Sequence, residues 1–195
     1  MSKAKFLLAA LLLPMLLAGA ALAGSVDMRI SGPGAVNDST IKAGETVSVD
    51  IYCANDTLRT GFTLGFKLVS NDIKSVVHVA DKGNGLNDNG DIKGHNGWQD
   101  KSVWDFAGVM TVERSWDGNL PDTIGLGGLS IKQGYYSEKA SKKMSFDIMV
   151  PESGTLVIDS SYFPPGGKWL FSSPPRVAPA ESPMWGGPYK FKVVK

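Results

Sequence analysis

Oxygen-bearing side chains are concentrated in one polar loop, Asp81 to Asp91, with the sequence DKGNGLNDNGD. Carboxylate and amide oxygens are the ligands that Ca²⁺ prefers. The predicted calcium set is Asp81, Asn87, Asp88, Asn89 and Asp91. The loop departs from the EF-hand template, since placing Gly90 at the sixth position leaves Gly85 at the first, where Asp is needed. A solvated hairpin loop is the alternative, because turns require Asn, Asp and Gly anyway.

Aromatic side chains next to polar ones form a second candidate site. Flat indoles suit the apolar faces of sugar rings, while neighbouring polar groups hydrogen-bond the hydroxyls. The predicted ligand-binding residues are Trp98, Gln99, Trp116, Asp117 and Asn119. Large aromatic side chains more often bury their area in a core. We expect that of Trp104 and Trp169, because each alternates with a phenylalanine two residues later.

Patterns typical of catalysis are sparse. His78 and His95 lie outside any H-E-x-x-H or H-x-E pattern, and the sequence contains no G-x-S-x-G. Carboxylates that could pair as in a glycosidase are Asp105, Glu113, Asp117 and Asp122. Any chain with this many acidic residues offers such pairs. The sequence therefore favours a protein that is not an enzyme.

Strict alternation of apolar and polar residues predicts the elements that must position these groups. Val47, Val49, Ile51 and Cys53 share one face, and four apolar residues at 62, 64, 66 and 68 repeat the pattern. Period-two alternation is typical of a strand with one buried face. Because only a short polar break separates the two runs, we expect them to pair as an antiparallel hairpin.

Further short alternating runs occur along the chain, separated by Gly, Pro, Asn and Asp. They include Met144 to Val150, followed by a predicted tight turn into Thr155 to Ile158, and the final run Tyr189 to Val193. No segment shows a convincing amphipathic helix. The predicted fold class is all-β, a two-sheet antiparallel β-sandwich of about nine strands. Residues 24–195 are expected to form one domain, with a Pro/Gly/Trp-rich segment at about 162–188 wrapping it.

The first 23 residues are typical of a secretory signal peptide. Lys3 and Lys5 precede an apolar run, and Ala21-Leu22-Ala23 forms an A-x-A cleavage site before Gly24. A retained transmembrane anchor is the alternative, because the apolar run approaches the length that spans a bilayer. The protein is expected outside the cytoplasm: secreted, on the cell surface or in the periplasm.

The net charge bears on the class of partner, and the cysteine content bears on thiol chemistry. Of 20 basic and 19 acidic residues, Lys3 and Lys5 precede the predicted cleavage site, which leaves 18 basic residues and a formal charge of −1. A nearly neutral chain without a basic cluster argues against nucleic acid as a partner. Cys53 is the single cysteine. It shares a face with valines and isoleucine, which predicts a buried, inert thiol.

Several stretches resemble cohesin-like domains, and neighbouring carbohydrate-binding modules share the same general sandwich. The matching stretches are Gly44 to Ile51, Gly61 to Phe66, Ser70 to Ile73, Val76-Val77, Met144 to Ile148 and Gly154 to Ile158. They cover about the first third of the exported chain and one later pair of strands. The resemblance implies a jelly-roll sandwich and, for cohesins, dockerin binding. The Asp81–Asp91 loop and the Pro/Trp-rich end lie outside it.

These patterns together predict an exported, non-catalytic module that binds a protein or a polysaccharide outside the cytoplasm. Two alternatives remain from the residues alone. One is a structural subunit of an extracellular assembly, such as a surface layer or filament. The other is a secreted glycoside hydrolase, which would need two facing carboxylates in a groove.

Calcium binding by the polar loop predicts a calcium-dependent stability of the exported protein. At a hundredfold excess over the dissociation constant, a ligand of the folded state stabilises it by about 3 kcal/mol. We expect Ca²⁺ to raise the thermal unfolding midpoint and excess chelator to reverse the rise. The double variant Asp88→Ala with Asp91→Ala should abolish the shift, whereas an unchanged midpoint in the parent protein would leave the loop as an ordinary turn.

Overall fold

All regular structure in the described part of the chain is β. The computed structural model describes residues 24–71, 77–78, 97–100, 102–111, 122–131, 134–161, 169–174 and 176–195. Within them, no helix is long and apolar enough to cross a membrane.

Fourteen strands occur in these residues. They are β1 (Ser25–Ser31), β2 (Ala35–Asn37), β3 (Thr40–Lys42), β4 (Thr46–Arg59), β5 (Gly61–Ser70), β6 (Val77–His78), β7 (Gly97–Gln99), β8 (Phe106–Thr111), β9 (Asp122–Leu129), β10 (Tyr135–Met149), β11 (Thr155–Ser160), β12 (Leu170–Ser172), β13 (Met184–Trp185) and β14 (Tyr189–Val194).

The strands form two sheets, which confirms the predicted β-sandwich. The six-stranded sheet has the order β13-β1-β4-β10-β6, with β7 also paired to β10. The eight-stranded sheet has the order β2-β3-β14-β11-β5-β9-β8, with β12 also paired to β5. Pairing is antiparallel except for β1 with β13 and β3 with β14. Eight strands have six residues or more, and the others have two or three, too few to show alternation in the sequence.

The predicted hairpin between β4 and β5 is wrong. β4 pairs with β1 and β10, whereas β5 pairs with β9, β11 and β12 in the other sheet. Only Thr60 separates the two strands. Its N–H donates to Ser172 O at 2.8 Å, and its carbonyl accepts from Ser130 N at 2.7 Å. The chain therefore crosses from one sheet to the other at Thr60, and the apolar faces of β4 and β5 meet across the core instead of side by side.

The same correction applies to the second predicted pair. β10 lies in the six-stranded sheet and β11 in the eight-stranded one, so residues 150–154 connect the two layers. Gly154 adopts a φ of 86°, which favours glycine. Alternation correctly identified which side chains are buried, but it carries no information on which strand lies beside which.

Aromatic contacts fill the space between the sheets. Phe66 of β5 lies 6.2 Å from Phe146 of β10, measured between ring centroids. At one end of the core, Trp169 and Trp185 pack edge-on against Phe66 at 5.1 and 5.6 Å. At the other end, Trp104 lies between Phe62 and Tyr135, with centroid distances of 4.8 and 5.0 Å. Trp104 and Trp169 are buried, which confirms their expected place in the core.

The described part of the Pro/Gly/Trp-rich segment is attached to the sandwich by hydrogen bonds. The indole Nε1–H of Trp169 donates to Gly65 O at 2.8 Å. Phe171 and Glu181 exchange both backbone hydrogen bonds, at 2.7 and 3.0 Å. Residues 162–168 and 175 lie outside the described residues. These bonds hold the aromatic rings of the segment against both ends of the core.

Truncating a side chain should lower the free energy of unfolding by different amounts on the two faces of β5. Phe66→Ala removes a fully buried ring and should lower the free energy of unfolding by about 3–5 kcal/mol. Val69→Ala on the same strand removes an exposed side chain and should cost less than about 1 kcal/mol. Chemical denaturation of the exported protein measures both, and equal losses would contradict this assignment of faces.

Candidate binding surface

The structure describes two of the predicted ligand-binding residues. Trp98 and Gln99 lie in β7, with Trp98 opposite Ser145 and Gln99 opposite Met144 of β10. The Gln99 side chain is only 7% exposed. Trp116, Asp117 and Asn119 lie outside the described residues, so this site stays a prediction.

The predicted calcium set also lies outside the described residues: Asp81, Asn87, Asp88, Asn89 and Asp91. In the ranges that are described, no group of three or more His, Cys, Asp or Glu side chains could hold a metal ion. Of the carboxylates considered for catalysis, Asp105 accepts a hydrogen bond from Ile131 N at 2.6 Å. That bond ties Asp105, which directly precedes β8, to the connection after β9.

The chain after β7 is anchored to β10 through Lys143. The Lys143 carbonyl accepts bonds from Asp100 N at 3.1 Å and from the indole of Trp104 at 3.2 Å. Its ammonium group lies 3.5 Å from Asp100 Oδ2 and 5.5 Å above the Tyr135 ring. These contacts position β7 at the edge of the six-stranded sheet.

Polar side chains on the outside of the six-stranded sheet bind one another. Asp50, although on the outer side of β4, is only 6% exposed. It accepts from Ser31 Oγ at 2.9 Å and lies 2.5 Å from Lys142 Nζ. Arg29 lies over the Tyr52 ring at 4.4 Å. Much of the hydrogen-bonding capacity of this surface is therefore used within the protein.

The outer face of the eight-stranded sheet has exposed aliphatic side chains. Residues 64, 66 and 68 of β5 point into the core, so the alternate residues face outward. We define the outer face as Thr63, Lys67, Val69, Gly127, Leu129, Val157 and Asp159. Val69 lies directly opposite Val157, and the exposed fractions of Val69 and Leu129 are 40% and 47%.

Charged residues surround the valine pair. Lys67 Nζ lies 3.5 Å from Asp159 Oδ2 in the adjacent row, and the exposed Lys190 is opposite Val157. Burial by itself raises the pKa of Asp159. Hydrogen bonds from Ser160 N–H and the Trp185 indole, with the charge of Lys67, outweigh it, so the pKa lies below its ordinary value. Asp159 thus stays a carboxylate at neutral pH.

Glycine makes part of the outer face smooth. Gly127 lies opposite Thr63 of β5 and Gly108 of β8. A Cβ built on Gly127 would meet nothing closer than Phe62 O at 3.9 Å. The next residue differs, since a Cβ on Gly128 would lie 2.5 Å from the Phe62 ring. Gly128 is therefore required for packing, whereas the space beyond Gly127 is open to a partner.

Comparison with solved structures identifies the architecture. The second type II cohesin module of the cellulosomal adaptor scaffoldin ScaA from Acetivibrio cellulolyticus matches with a TM-score of 0.53 and 9% identity. The match covers 89% of this chain and 98% of that one. A type II cohesin domain from the cellulosome of the same organism matches with a TM-score of 0.51 and 11% identity, covering 87% and 95%. This chain has the cohesin fold.

A third structure with the cohesin fold comes from a glycoside hydrolase. The cohesin module of a Clostridium perfringens family 33 enzyme gives a TM-score of 0.50 and 12% identity, covering 88% of this chain and 97% of that one. No family model and no curated protein matches the sequence. At these identities the cohesin fold is what the likeness establishes, and the contacts of the outer face must be argued from this chain itself.

Cys53 occupies a core position of the cohesin fold, and its reactivity follows from that burial. Desolvation raises the pKa of its thiol to about 12, although the charge of Lys143 acts in the opposite direction. Since the thiolate is the nucleophile, the native thiol should be inert. We expect negligible alkylation by iodoacetamide at about pH 8 in buffer and rapid alkylation in urea. Fast modification of the folded protein would contradict this placement.

Proposed function

We propose that the protein is an exported, non-catalytic module that binds a protein partner outside the cytoplasm through its outer face. The single observation that carries this proposal is the valine pair on the outer face of the eight-stranded sheet, in which Val69 is 40% exposed and lies directly opposite the half-buried Val157. Export is supported by the signal-peptide pattern of residues 1–23.

The fold supports a protein rather than a small molecule as the partner. Two of the similar solved modules are described as parts of a cellulosome or of its adaptor scaffoldin. An adaptor, in the sense of the word, connects other components of an assembly. Transferred to this chain, that role fits a sheet surface with few protruding side chains, such as the one around Gly127.

The composition of the outer face supports protein recognition as well. Protein interfaces combine an apolar centre with a polar rim. Here the valine pair provides apolar area, and Lys67, Asp159 and Lys190 provide charges around it. Charges at a rim contribute to orientation and association rate more than to affinity. The six-stranded sheet is less suited, because Asp50, Ser31 and Lys142 already bind one another.

Binding is tested with matched substitutions in the full chain, produced in an exporting bacterial host. The purified protein is immobilised and incubated with proteins secreted by its native organism, and the affinity for any captured protein is then measured with pure components. Val69→Gln combined with Val157→Gln should weaken that affinity at least tenfold, since it places two polar side chains at the apolar centre of the proposed contact. Gly127→Gln should weaken it too, by placing a side chain in open space.

Met184→Gln is the matched control. Met184 is 55% exposed and lies in β13 of the other sheet, so its substitution should leave the affinity unchanged. Equal effects of the control and the outer-face variants would overturn the assignment of the surface. Concentration-dependent self-association without another partner would indicate a structural subunit. Binding on a glycan array that depends on Trp98 and Trp116 would indicate a polysaccharide ligand.

A further inference from the structure

The first described residue, Gly24, is buried and is held by the C-terminal part of the chain. Its backbone N–H donates to Glu181 Oε1 at 3.1 Å, and its carbonyl accepts from Met184 N at 2.7 Å. Gly24 also directly follows the predicted A-x-A cleavage site. The nitrogen that signal peptide removal would expose therefore faces a carboxylate inside the folded protein.

That carboxylate is already paired with a buried cation. Arg59 is only 1% exposed, and its Nη2 lies 2.5 Å from Glu181 Oε1. Its Nη1 donates to Ser173 Oγ and to Pro179 O, both at 2.9 Å. Glu181 is fixed in turn by its backbone bonds to Phe171. The same oxygen of Glu181 thus lies between a guanidinium group and the nitrogen of Gly24.

Packing at this position admits only glycine. A Cβ on Gly24 would lie 2.8 Å from two ring carbons of Phe171 and 2.9 Å from Glu181 Oε1. Signal peptide patterns specify small residues before the cleavage point, whereas here it is the tertiary structure that requires a small residue after it. Gly24 is thus both the residue that leader removal would expose and a position where the folded protein requires glycine.

We propose that cleavage after Ala23 creates a structural cation, the α-ammonium group of Gly24, which pairs with Glu181 and completes a charged cluster with Arg59. Hydrolysis consumes one water: the Ala23–Gly24 peptide bond breaks, Ala23 gains a carboxylate, and the Gly24 nitrogen gains hydrogens and becomes an ammonium group at neutral pH. The leader leaves with the Ala23 carboxylate. This inference goes beyond partner binding and rests on the expected signal peptide.

The gain on cleavage has a simple electrostatic cause. Before cleavage, Glu181 accepts a hydrogen bond from the neutral amide N–H of Gly24. After cleavage, the donor on the same nitrogen is positively charged. Charge-assisted hydrogen bonds are about twice as strong as neutral ones. Removing the leader therefore strengthens the attachment of β1 to the segment that carries Glu181, and the processed protein is more stable than the precursor.

The contribution depends on pH in one direction. An α-amino group in an unfolded chain has a pKa of about 7.7–8.0. The proposed pairing with Glu181 requires a higher pKa in the folded state, against the burial of Gly24 and the charge of Arg59, which act in the opposite direction. The stabilisation is then fully present below the unfolded value and is lost as the pH rises through the folded value.

No other described group near the Gly24 nitrogen is expected to titrate in the pH range where its α-amino group loses its proton. Among the described residues, the titratable groups facing the Gly24 nitrogen directly or through Glu181 are Glu181, Arg59, Asp56 and Tyr135. Burial raises the pKa of Tyr135, and it raises that of the nearby Cys53 thiol to about 12. Neither the phenol nor the thiol ionises at the pH values used below.

The first arm of the test identifies the new N-terminus. The full-length precursor is expressed in an exporting bacterial host, and the exported product is analysed by intact mass and N-terminal sequencing. We expect it to begin at Gly24. A product that begins elsewhere, or a retained leader, would overturn the proposal.

The second arm separates the ammonium charge from mere extension. Insertion of one serine between Ala23 and Gly24 leaves an exported chain in which Gly24 again has a neutral amide, as in the precursor. At about pH 6.5 the insertion should lower the thermal midpoint by roughly 2–4 °C. The difference should vanish at about pH 10, where the amino group is neutral in both proteins.

A double-mutant cycle provides the independent check. In the Glu181→Gln background the same insertion should have no effect, because the charged acceptor is gone. Asp38→Asn removes an exposed carboxylate elsewhere and should leave the effect of the insertion intact. An insertion effect that persists at pH 10 or in Glu181→Gln would mean a steric cause and would overturn the proposal. If Glu181→Gln fails to fold, the pH comparison of the parent and inserted proteins decides alone.

Discussion

The whole structure depends on one constraint, which is that three long strands must bury their apolar faces against one another. The contact between Phe66 and Phe146 lies at this junction of the two sheets. β4 and β10 are neighbours in one sheet, and β5 covers them from the other. A hairpin would have left the faces of β4 and β5 side by side, with the apolar area of both still to be covered. Crossing between sheets at Thr60 buries both faces at once, which is the largest favourable term available to a domain of this kind.

Covering the ends of that core is the role of the C-terminal part of the chain. Trp169 and Trp185 close one end around Phe66, and Phe171 reaches Tyr135 at the other with a centroid distance of 6.3 Å. Rings alone define no single arrangement, because apolar contacts are not directional. The bond from Trp169 to Gly65 and the ion pair between Arg59 and Glu181 are directional. They give this segment one position relative to β4 and β5.

The outer surfaces of the sandwich differ because their polar groups have different partners. On the six-stranded sheet, serines, aspartates and a lysine satisfy each other, which stabilises the sheet and leaves fewer groups for a ligand. On the eight-stranded sheet, glycines and valines meet across the β5 pairings. This protein therefore has one outer surface whose polar groups bind one another and one that includes the exposed side chains of Val69 and Leu129.

The sequence alone determined the fold class and much of the core, although β8 and β9, with the buried Ile124 and Leu126, were not predicted. Alternation with period two is a local property, so the burial of Cys53, Phe66 and Phe146 could be predicted residue by residue. The first part of β10 was missed because residues 137–143 are polar and irregular, with register shifts against β4 at both ends of that stretch. The short strands were missed for lack of residues to alternate.

Only the tertiary structure decided which strands pair and which side chains meet. Val69 joins Val157, and Arg59 joins Glu181, across long separations in sequence. Nothing near any of these residues signals its partner, since hydrogen bonds between strands and ion pairs form between whatever the folded core brings together. The physical reason is that the burial of a side chain follows from its own polarity and its position in the local alternation. A site, in contrast, depends on distances between residues that are far apart in the sequence.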